Sequence, residues 1–331
     1  MFSARRLTLA VAGCLGFSLL CFALCVALGE QSISWEGIRT PGSVDETIFY
    51  GLRLPRVVLA AIVGAALAAS GMTLQSLMRN ALADPFVLGV SGGAALGATV
   101  ALALGLTASV LGFSAPSLLA LVGSVGATLL VLSVGRLSGP HTTLLAGVIF
   151  NAFALAAIIF IKALVAPDKL GEILFWLSGS LGQEAPKTLL ATAAVVCLAI
   201  SVMVALSAKL NVMTLGDDDA RSLGIDVGRT RLVLFVAASL AVSAAVALSG
   251  LVGFVGLLVP HLTRLLFGAD QRVALPASAL LGASFLMLAD LGARLLFTVF
   301  HTEPPVGVIT ALLGGPLFLL LMFRRSSAAR A

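Results

Sequence analysis

The motif Gly89-Val90-Ser91-Gly92-Gly93 is the one place where this sequence resembles a covalent catalyst. It fits the Gly-x-Ser-x-Gly pattern of serine hydrolases and the Gly-x-Ser-Gly pattern of intramembrane serine proteases. With His261 from a distant segment as the base, Ser91 would be a nucleophile. The competing explanation is close helix packing, because small residues continue as far as Gly97. Short patterns of this kind recur by chance, so the protease stays the less favoured alternative.

Asp290 and Arg294 are ionisable groups inside an apolar stretch. Placing such a group in a membrane costs roughly 2.5–3.5 kcal/mol on insertion scales, so these residues are functional candidates by default. Residues four apart share a helix face and can pair, which favours a structural role for Asp290. The alternative is ion coupling, in which Asp290 would serve a secondary transporter driven by a proton or sodium gradient.

The sequence predicts neither a metal site nor a nucleotide site in this chain. The three histidines and the four cysteines show no metal-ligand or redox spacing. The pattern Gly-x-x-x-x-Gly-Lys-Ser/Thr, which cradles phosphates, does not occur. We therefore expect no cofactor in this chain, and any ATP and magnesium must be bound by a partner.

The composition places these residues in a membrane protein. The chain of 331 residues is 60% hydrophobic and 11% charged, whereas a soluble domain has roughly 25% charged residues. Only helices fit, because backbone amides in lipid must be bonded within their own segment. The sequence thus predicts an all-α, polytopic fold in one transmembrane domain, residues 1–331. The ten apolar stretches are Leu7–Leu28, Val57–Leu77, Leu88–Leu106, Ser117–Val134, Leu144–Leu164, Leu189–Leu206, Leu232–Leu248, Leu251–Leu266, Ala274–Leu296 and Val306–Phe323.

An even number of spans puts both termini on one side of the membrane. With both termini in the cytoplasm, most of the 20 Lys and Arg residues lie on the inner side, as the positive-inside rule requires. We expect a multi-pass protein of the bacterial or archaeal plasma (inner) membrane. The net charge of +5 then reflects this bias, and no nucleic-acid binding is expected. Ala66–Gly71 and Ala245–Gly250 are similar in sequence and would run in opposite directions, so an inverted repeat is possible.

Three hydrophilic segments separate the spans. The outer segments are Glu30–Arg56 and Ala166–Lys187, and the second should contain a short helix or turn at the interface. The inner segment Lys209–Arg231 is the most charged. Its Asp residues at a helix start and Gly224 at a helix end predict one or two short helices on the cytoplasmic surface.

One block of motifs carries a family resemblance that covers essentially the whole chain. The sequence resembles the permease family of binding-protein-dependent ABC importers for iron-siderophore complexes, haem and cobalamin. The residues that carry the resemblance are Arg53-Leu54-Pro55-Arg56, Gly64–Gly71, Gln75, Arg79–Pro85, Leu88–Ala94, Ala220–Gly224, Gly253–Arg264, Leu275-Pro276, Ala289–Arg294 and Glu303–Gly307. Ala81 departs from the pattern, because the family usually has proline after the asparagine.

The resemblance implies partners for each surface. Members have ten spans, form homodimers, and work with two ATPase subunits and a periplasmic or lipid-anchored binding protein. Outer arginines would engage acidic residues of the binding protein; these are Arg53, Arg56 and Arg294. The inner segment would dock into the ATPase through Ala220, Arg221, Leu223 and Gly224.

The transport pathway should have mildly polar walls, because tight binding would trap the cargo. The pathway candidates are Gln75, Asn80 and Asn151, and the inner gate would lie at Asn80 and at Pro140, His141, Thr142 and Thr143. By frequency in the family, ferric siderophores rank first as the substrate, cobalamin second and haem third.

Overall fold

The fold is known from a computed structural model, which describes residues 4–110, 112–138 and 140–328. The side chains of residues 4, 6, 87–88, 135–141 and 322–328 lie outside that description.

Helices dominate the described chain. The helices are α1 (Ala4–Ala27), α2 (Trp35–Arg39), α3 (Val44–Glu46), α4 (Leu54–Leu77), α5 (Val90–Ala103), α6 (Ala115–Ser138), α7 (Pro140–Leu164), α8 (Pro167–Leu177), α9 (Pro186–Ala205), α10 (Ser207–Met213), α11 (Asp217–Ser222), α12 (Val227–Ser249), α13 (Val255–Phe267), α14 (Gln271–Phe300) and α15 (Val306–Ala328). A π-helical turn, Thr47–Arg53, leads directly into α4, and a 3₁₀ turn, Pro85–Leu88, precedes α5. Two-residue strands β1 (Ser109–Val110) and β2 (Phe113–Ser114) pair antiparallel between α5 and α6. The all-α prediction is confirmed apart from this small hairpin.

The longer helices are candidates for membrane-spanning segments. Among the described residues, seven helices are long and apolar enough to cross a membrane, and three shorter apolar helices accompany them: Val90–Ala103, Val255–Phe267 and Val306–Leu321. Each of these ten segments overlaps one of the ten predicted stretches, but the predicted number of membrane-spanning helices matches only roughly, since seven of the segments are long enough to span. The prediction was wrong in the lengths of two stretches, because α5 and α13 have only 14 and 13 residues. A helix of that length rises roughly 20 Å, less than the roughly 30 Å of a hydrocarbon core.

Backbone breaks shorten α5 and α13. Asp84 caps the 3₁₀ turn through the amide of Phe86, and Gly89 then takes a left-handed conformation (φ +85°) before α5 begins. The break between α12 and α13 was predicted around Ser249, Gly250 and Gly253. The structure confirms it, since α12 ends at Ser249 and Phe254 is left-handed before α13.

Helix α4 is the centre of the bundle, and small residues let its neighbours approach closely. From Val57 to Leu77 most of its side chains are buried, against α14, α12, α13 and α9. A Cβ added to Gly64 would lie 2.2 Å from the carbonyl oxygen of Gly282 in α14. One added to Gly71 would lie 1.9 Å from the carbonyl oxygen of Gly256 in α13. Such backbone contacts are how helices associate in lipid, where apolar burial gives little driving force.

The peripheral helices are apolar on their exposed sides. Helix α7 exposes Leu145, Ile149, Phe153 and Phe160, among others. In a membrane these side chains can contact lipid or another subunit. The polar short helices lie at the ends of the bundle: α8 follows α7, and α10 and α11 form the predicted helices of the segment Lys209–Arg231.

Candidate functional site

Charged side chains gather at the two ends of the central helix α4. Each end is named here after a carboxylate that pairs there: the Asp290 end after a buried one and the Asp217 end after a partly exposed one. At the Asp290 end, two arginine side chains cap the carboxyl end of α1. Arg53 donates to the carbonyls of Val26 (3.1 Å) and Ala27 (3.0 Å), and Arg294 donates to that of Cys25 (3.0 Å). These carbonyls have no partner within their own helix, and the helix dipole favours positive charge there.

Asp290 pairs with Arg294 and with a third arginine, Arg56. Its carboxylate is fully buried in α14 and accepts hydrogen bonds from Arg56 Nε (2.8 Å) and Arg294 Nε (3.0 Å). Arg56 also pairs with Glu303. The predicted pairing of Asp290 with Arg294 is confirmed, and Arg56 is a second partner that helix spacing could not reveal, since it lies 234 residues away.

The three predicted docking arginines line one cavity of about 500 Å³ at this end, together with Glu30, Gln31, Gln183 and Glu303. The structure therefore brings them together. Their exposure differs: the whole residues Arg53 and Arg294 are only 5% and 8% exposed, whereas the side chain of Arg56 is 21% exposed. Nearby in the α8–α9 loop, burial raises the pKa of Glu184 to about 7.

A second cavity of about 380 Å³ lies at the Asp217 end, and two predicted pathway residues, Gln75 and Asn80, line it with Arg79, His261 and Arg264. Gln75 is buried, and its amide donates to the carbonyls of Gly256 and Leu257 at 3.3 Å. Its oxygen accepts from Arg264, so Gln75 bridges α4 and α13. Asn80 is exposed and accepts from the amide of Leu82.

The remaining pathway candidates lie on α7. Asn151 bridges the entrance of α5, donating to the carbonyl of Phe86 (2.8 Å) and accepting from the amide of Gly92 (3.2 Å). Thr142 is half-buried and Thr143 is buried. Pro140 and His141 open the same helix, but their side chains lie outside the described part of the structure.

The residues of the hypothetical protease dyad make other contacts. The hydroxyl of Ser91 donates to the carbonyl of Phe86 at 3.0 Å. His261 is buried in α13, with its ring edge-on to that of Phe318 at a centroid distance of 5.8 Å. Within the described residues, no group of three or more His, Cys, Asp or Glu side chains could hold a metal ion.

The segment Lys209–Arg231, called here the predicted coupling segment, presents apolar side chains beside charged ones. Leu215 and Leu223 are 74% and 67% exposed, and Arg221 pairs with Asp218 at 2.7 Å. Ala220 is fully buried. Gly224 has a φ of +78°, which confirms the predicted end of the short helix α11.

Asp217, at the start of α11, is paired with two arginines that the sequence gave no reason to place there. Arg231 donates to both carboxylate oxygens (2.9 and 2.7 Å), and Arg79 donates to one of them. Partial burial opposes ionisation, but Arg231 and the charges of Arg79 and Arg221 hold the pKa of Asp217 below its ordinary value. The Asp-rich run around Asp217 predicted the start of a helix, but it did not predict which residues pair with Asp217.

Arg79 occupies a position that usually belongs to glycine. The amide of Arg79 donates to the carbonyl of Ser76, and the amide of Asn80 donates to the carbonyl of Gln75. This pair of hydrogen bonds is typical of a helix that ends with a left-handed residue. Arg79 has a φ of +50°. A non-glycine residue there costs roughly 1–2 kcal/mol.

A second connection joins α10 to α14. Asn211 donates to Asp270 (2.6 Å) and accepts from the amide of Gln271 (2.7 Å). Arg272 also donates to Asp270, and together with the bond from Asn211 it lowers the pKa of Asp270 to about 2.

A helical multi-pass bundle with interlocked charges at both ends, and a short helical segment exposed at one of them, fits the membrane-spanning subunit of a transporter. The chain belongs to the FecCD transport family, whose model matches residues 17–324.

Curated relatives and a solved structure agree with this membership. The chain is 39% identical to the hemin transport system permease protein HmuU of Yersinia pestis, covering 90% of each chain. It is 41% identical to the cobalamin import system permease protein BtuC of Halobacterium salinarum, over 84% of this chain and 74% of that one. It is 36% identical to the Fe(3+) dicitrate transport system permease protein FecC of Escherichia coli, over 93% and 92%. A solved metal-chelate type ABC transporter in an inward-facing conformation shares 32% identity, with a TM-score of 0.84 over 95% of this chain and 98% of that one.

The chain is therefore a permease subunit of an ABC transporter and a multi-pass protein of the inner membrane. Members of this family are not enzymes themselves, and ATP is hydrolysed by a separate subunit. Membership replaces both alternatives, the intramembrane protease with Ser91 and His261 and the gradient-driven transporter with Asp290. The family works with ATPase and substrate-binding partners.

Proposed function

We propose that this permease carries a metal ion enclosed in an organic chelate into the cytoplasm, with a ferric siderophore as the first candidate and cobalamin and haem as the others. The observation that carries the proposal is that relatives named for hemin, cobalamin and ferric dicitrate are each 36–41% identical to the chain over most of its length. These three cargoes share one chemistry, a metal presented by an organic ligand.

The proposed complex contains two copies of this chain, two ATPase subunits that bind ATP and magnesium, and one periplasmic or lipid-anchored binding protein. Both termini lie in the cytoplasm, so the Asp290 end faces outward and the Asp217 end inward. Support for this orientation is the bias of Lys and Arg towards the Asp217 end and the termini. We place no cofactor in this chain.

Docking of the binding protein is assigned to Arg53, Arg56 and Arg294. The common cavity supports this assignment, because several guanidinium groups around one opening attract carboxylates. Of the three arginines, Arg56 is best suited to contact the binding protein directly. Arg53 and Arg294 already donate hydrogen bonds to carbonyls at the end of α1. The test is binding-protein affinity after Arg56→Glu, with Arg39→Glu, also in the Glu30–Arg56 segment, as the matched control. Unchanged affinity of Arg56→Glu would remove Arg56 from the docking surface.

Docking of the ATPase is assigned to the coupling segment, with Arg221, Leu223 and Gly224 at its surface and Ala220 packed beneath. Two exposed leucines in a segment between membrane spans support a protein partner, because isolated apolar side chains beside charged ones are typical of interface anchors. Leu223→Asp should release the ATPase during purification, and retention of the ATPase would contradict the assignment.

The pathway is assigned to Gln75, Asn80 and Asn151, and the inner gate to Asn80 and Pro140–Thr143. Gln75 and Asn80 on one cavity support the inner part of this route.

Transport in liposomes tests the whole proposal. The complex is reconstituted with its own ATPase and binding protein, and uptake of ⁵⁵Fe-siderophore, ⁵⁵Fe-haem and ⁵⁷Co-cobalamin is compared with and without enclosed ATP. We expect ATP-dependent accumulation of one chelate. Accumulation driven by an ion gradient without the ATPase would overturn the proposal.

Labelling tests the orientation. A cysteine placed at Ser32 should react with an impermeant maleimide in spheroplasts, and one at Ser222 should react only after the cells are opened; both positions are exposed. The reverse result would invert the topology.

A further inference from the structure

The carboxylate of Asp217 joins three separate elements at one end of the bundle. Asp217 belongs to the short helix α11, Arg231 to the first turns of α12, and Arg79 to the turn that ends α4. Arg79 extends the connection to a fourth element, because its Nε donates to the carbonyl of Met213 at the end of α10 (3.1 Å). The segment between Met213 and Arg231 is therefore held on both sides by charged contacts to the spans.

The two spans that Asp217 reaches are the most buried of the bundle. Helices α4 and α12 pack against each other, and the hydroxyl of Ser70 in α4 donates to the carbonyl of Ala238 in α12 at 3.0 Å. A displacement of α11 that keeps the contacts of Asp217 must move the ends of both helices. The peripheral spans would move only because they pack against α4 and α12.

The left-handed backbone conformation of Arg79 indicates that its side chain has a functional role. A left-handed residue at this position is normally glycine, because other residues are strained there. In α11 the equivalent position is Gly224. Backbone strain that persists where glycine would relieve it points to a role for the side chain.

These ion pairs are poorly suited to stabilising the fold. The side chains of Asp217, Arg79 and Arg231 are 26%, 43% and 24% exposed. Pairs that reach water contribute little to stability because solvent screens them. Their geometry, by contrast, fixes the position of α11 relative to two spans.

We propose that Asp217 is the positioning residue that transmits movement of α11 to α4 and α12, with Arg79 and Arg231 as its two contacts in the spans. The inference rests on the proposed docking of the ATPase to the coupling segment. It adds that docking alone does not give efficient transport, because the chain connections of α11 transmit its movement less well than the contacts of this carboxylate.

The experiment compares variants of the complete complex in liposomes, with ⁵⁵Fe-siderophore-loaded binding protein outside and ATP inside. The measured quantity is chelate transported per ATP hydrolysed. We expect Asp217→Asn to lower this ratio at least about fivefold, the lower end of ordinary coupling between sites. Asp217→Glu, which keeps the charge, should restore part of it.

Arg79→Gly separates the side chain from the backbone. Glycine relieves the left-handed strain, so this variant should be at least as stable as the wild type and still lower the ratio. Arg272→Gln is the matched control, because it removes a partly exposed ion pair from the same end of the bundle without removing a contact of Asp217. It should leave the ratio within about twofold of the wild type.

The outcomes separate the inference from the proposed function. If the wild type transports without ATP, the proposed function fails and the inference with it. If the wild type is coupled and both Asp217→Asn and Arg79→Gly transport normally per ATP, the inference alone is wrong. An equal loss in Arg272→Gln would also overturn it, since any disturbance of that end would then suffice. Should Asp217→Asn fail to assemble, Arg79→Gly decides the question.

Discussion

Arg56 in α4 donates its Nε–H to the fully buried carboxylate of Asp290 in α14 at 2.8 Å, across 234 residues of sequence. Arg294 donates to the other oxygen of the same carboxylate at 3.0 Å. One carboxylate thus pairs with two guanidinium groups where α1, α4 and α14 meet, and Glu303 supplies a second anion for Arg56. This arrangement makes the Asp290 end a rigid base for the surface that we assign to the binding protein.

Replacement of Asp290 should destabilise the protein strongly. Asp290→Asn leaves Arg294 without its anion and Arg56 with Glu303 alone, and removing one partner of a buried pair costs about 3–5 kcal/mol. The loss is measured as the thermal midpoint in detergent, with a thiol-reactive dye that reports exposure of the buried Cys14, Cys21 and Cys25 in a Cys197→Ser background. Glu172→Gln, which breaks an exposed pair with Lys169, is the control and should cost under about 1 kcal/mol. Equal midpoints for the two variants would contradict the prediction.

Loss of Arg53 should loosen the end of α1. Arg53→Ala removes donors from the buried carbonyl of Val26 and from the part-buried bonds to Ala27 and Gln31, and a buried acceptor left unpaired costs about 1–3 kcal/mol. The last turn of α1 should open, so we expect faster labelling of Cys25, whose thiol is buried beside α14. Arg39→Ala is the control, because Arg39 lies in the short exposed helix α2. Unchanged protection of Cys25 in Arg53→Ala would show that the guanidinium is not needed there.

Two glycines of α14 should respond oppositely to alanine. A Cβ on Gly282 would lie 2.3 Å from the carbonyl oxygen of Gly64, whereas a Cβ on Gly292 would meet no atom within 4 Å. Gly282→Ala must push α4 and α14 apart, at a cost of about 1–3 kcal/mol. Gly292→Ala should be neutral or stabilising by up to about 1 kcal/mol, because alanine favours the helix. Folded yield and thermal midpoint measure both, and similar behaviour of the two variants would refute the close contact.

The stability of the protein should decrease as the pH rises from about 4.5 to about 7, because of Glu184. Burial raises its pKa from 4.5 to about 7, so in this window the native protein binds more protons than the unfolded chain. Stability then decreases as the pH rises and levels off above pH 7.

Glu184→Gln should remove that part of the pH dependence. Its thermal midpoint, followed by tryptophan fluorescence, should exceed that of the wild type at pH 8 and match it near pH 4.5. Glu172→Gln, at a more exposed carboxylate, should keep the wild-type slope. A wild-type slope in Glu184→Gln as well would assign the dependence to another group.

Local patterns predicted much of the fold and less of the site. The break near Gly250, the short helices of the coupling segment, the cap at Gly224 and the pair Asp290–Arg294 all depend on neighbours within a few residues, and all are confirmed. The lengths of α5 and α13 were wrong because hydropathy does not register a left-handed residue such as Phe254. The resemblance predicted the family, which the comparisons confirm, whereas the docking, coupling and gate residues stay predictions.

The sequence by itself determined that the chain is a helical membrane protein and where its spans lie, because lipid imposes a length and an apolar composition on each segment separately. Apart from the pair Asp290–Arg294, four residues apart on one helix, only the tertiary structure decided the partners of its charges. Arg56 with Asp290, Arg53 with the end of α1, and Asp217 with Arg79 and Arg231 join residues of different secondary-structure elements. A charge in the sequence has a sign and a position but no partner, since pairing depends on which helix ends meet in three dimensions.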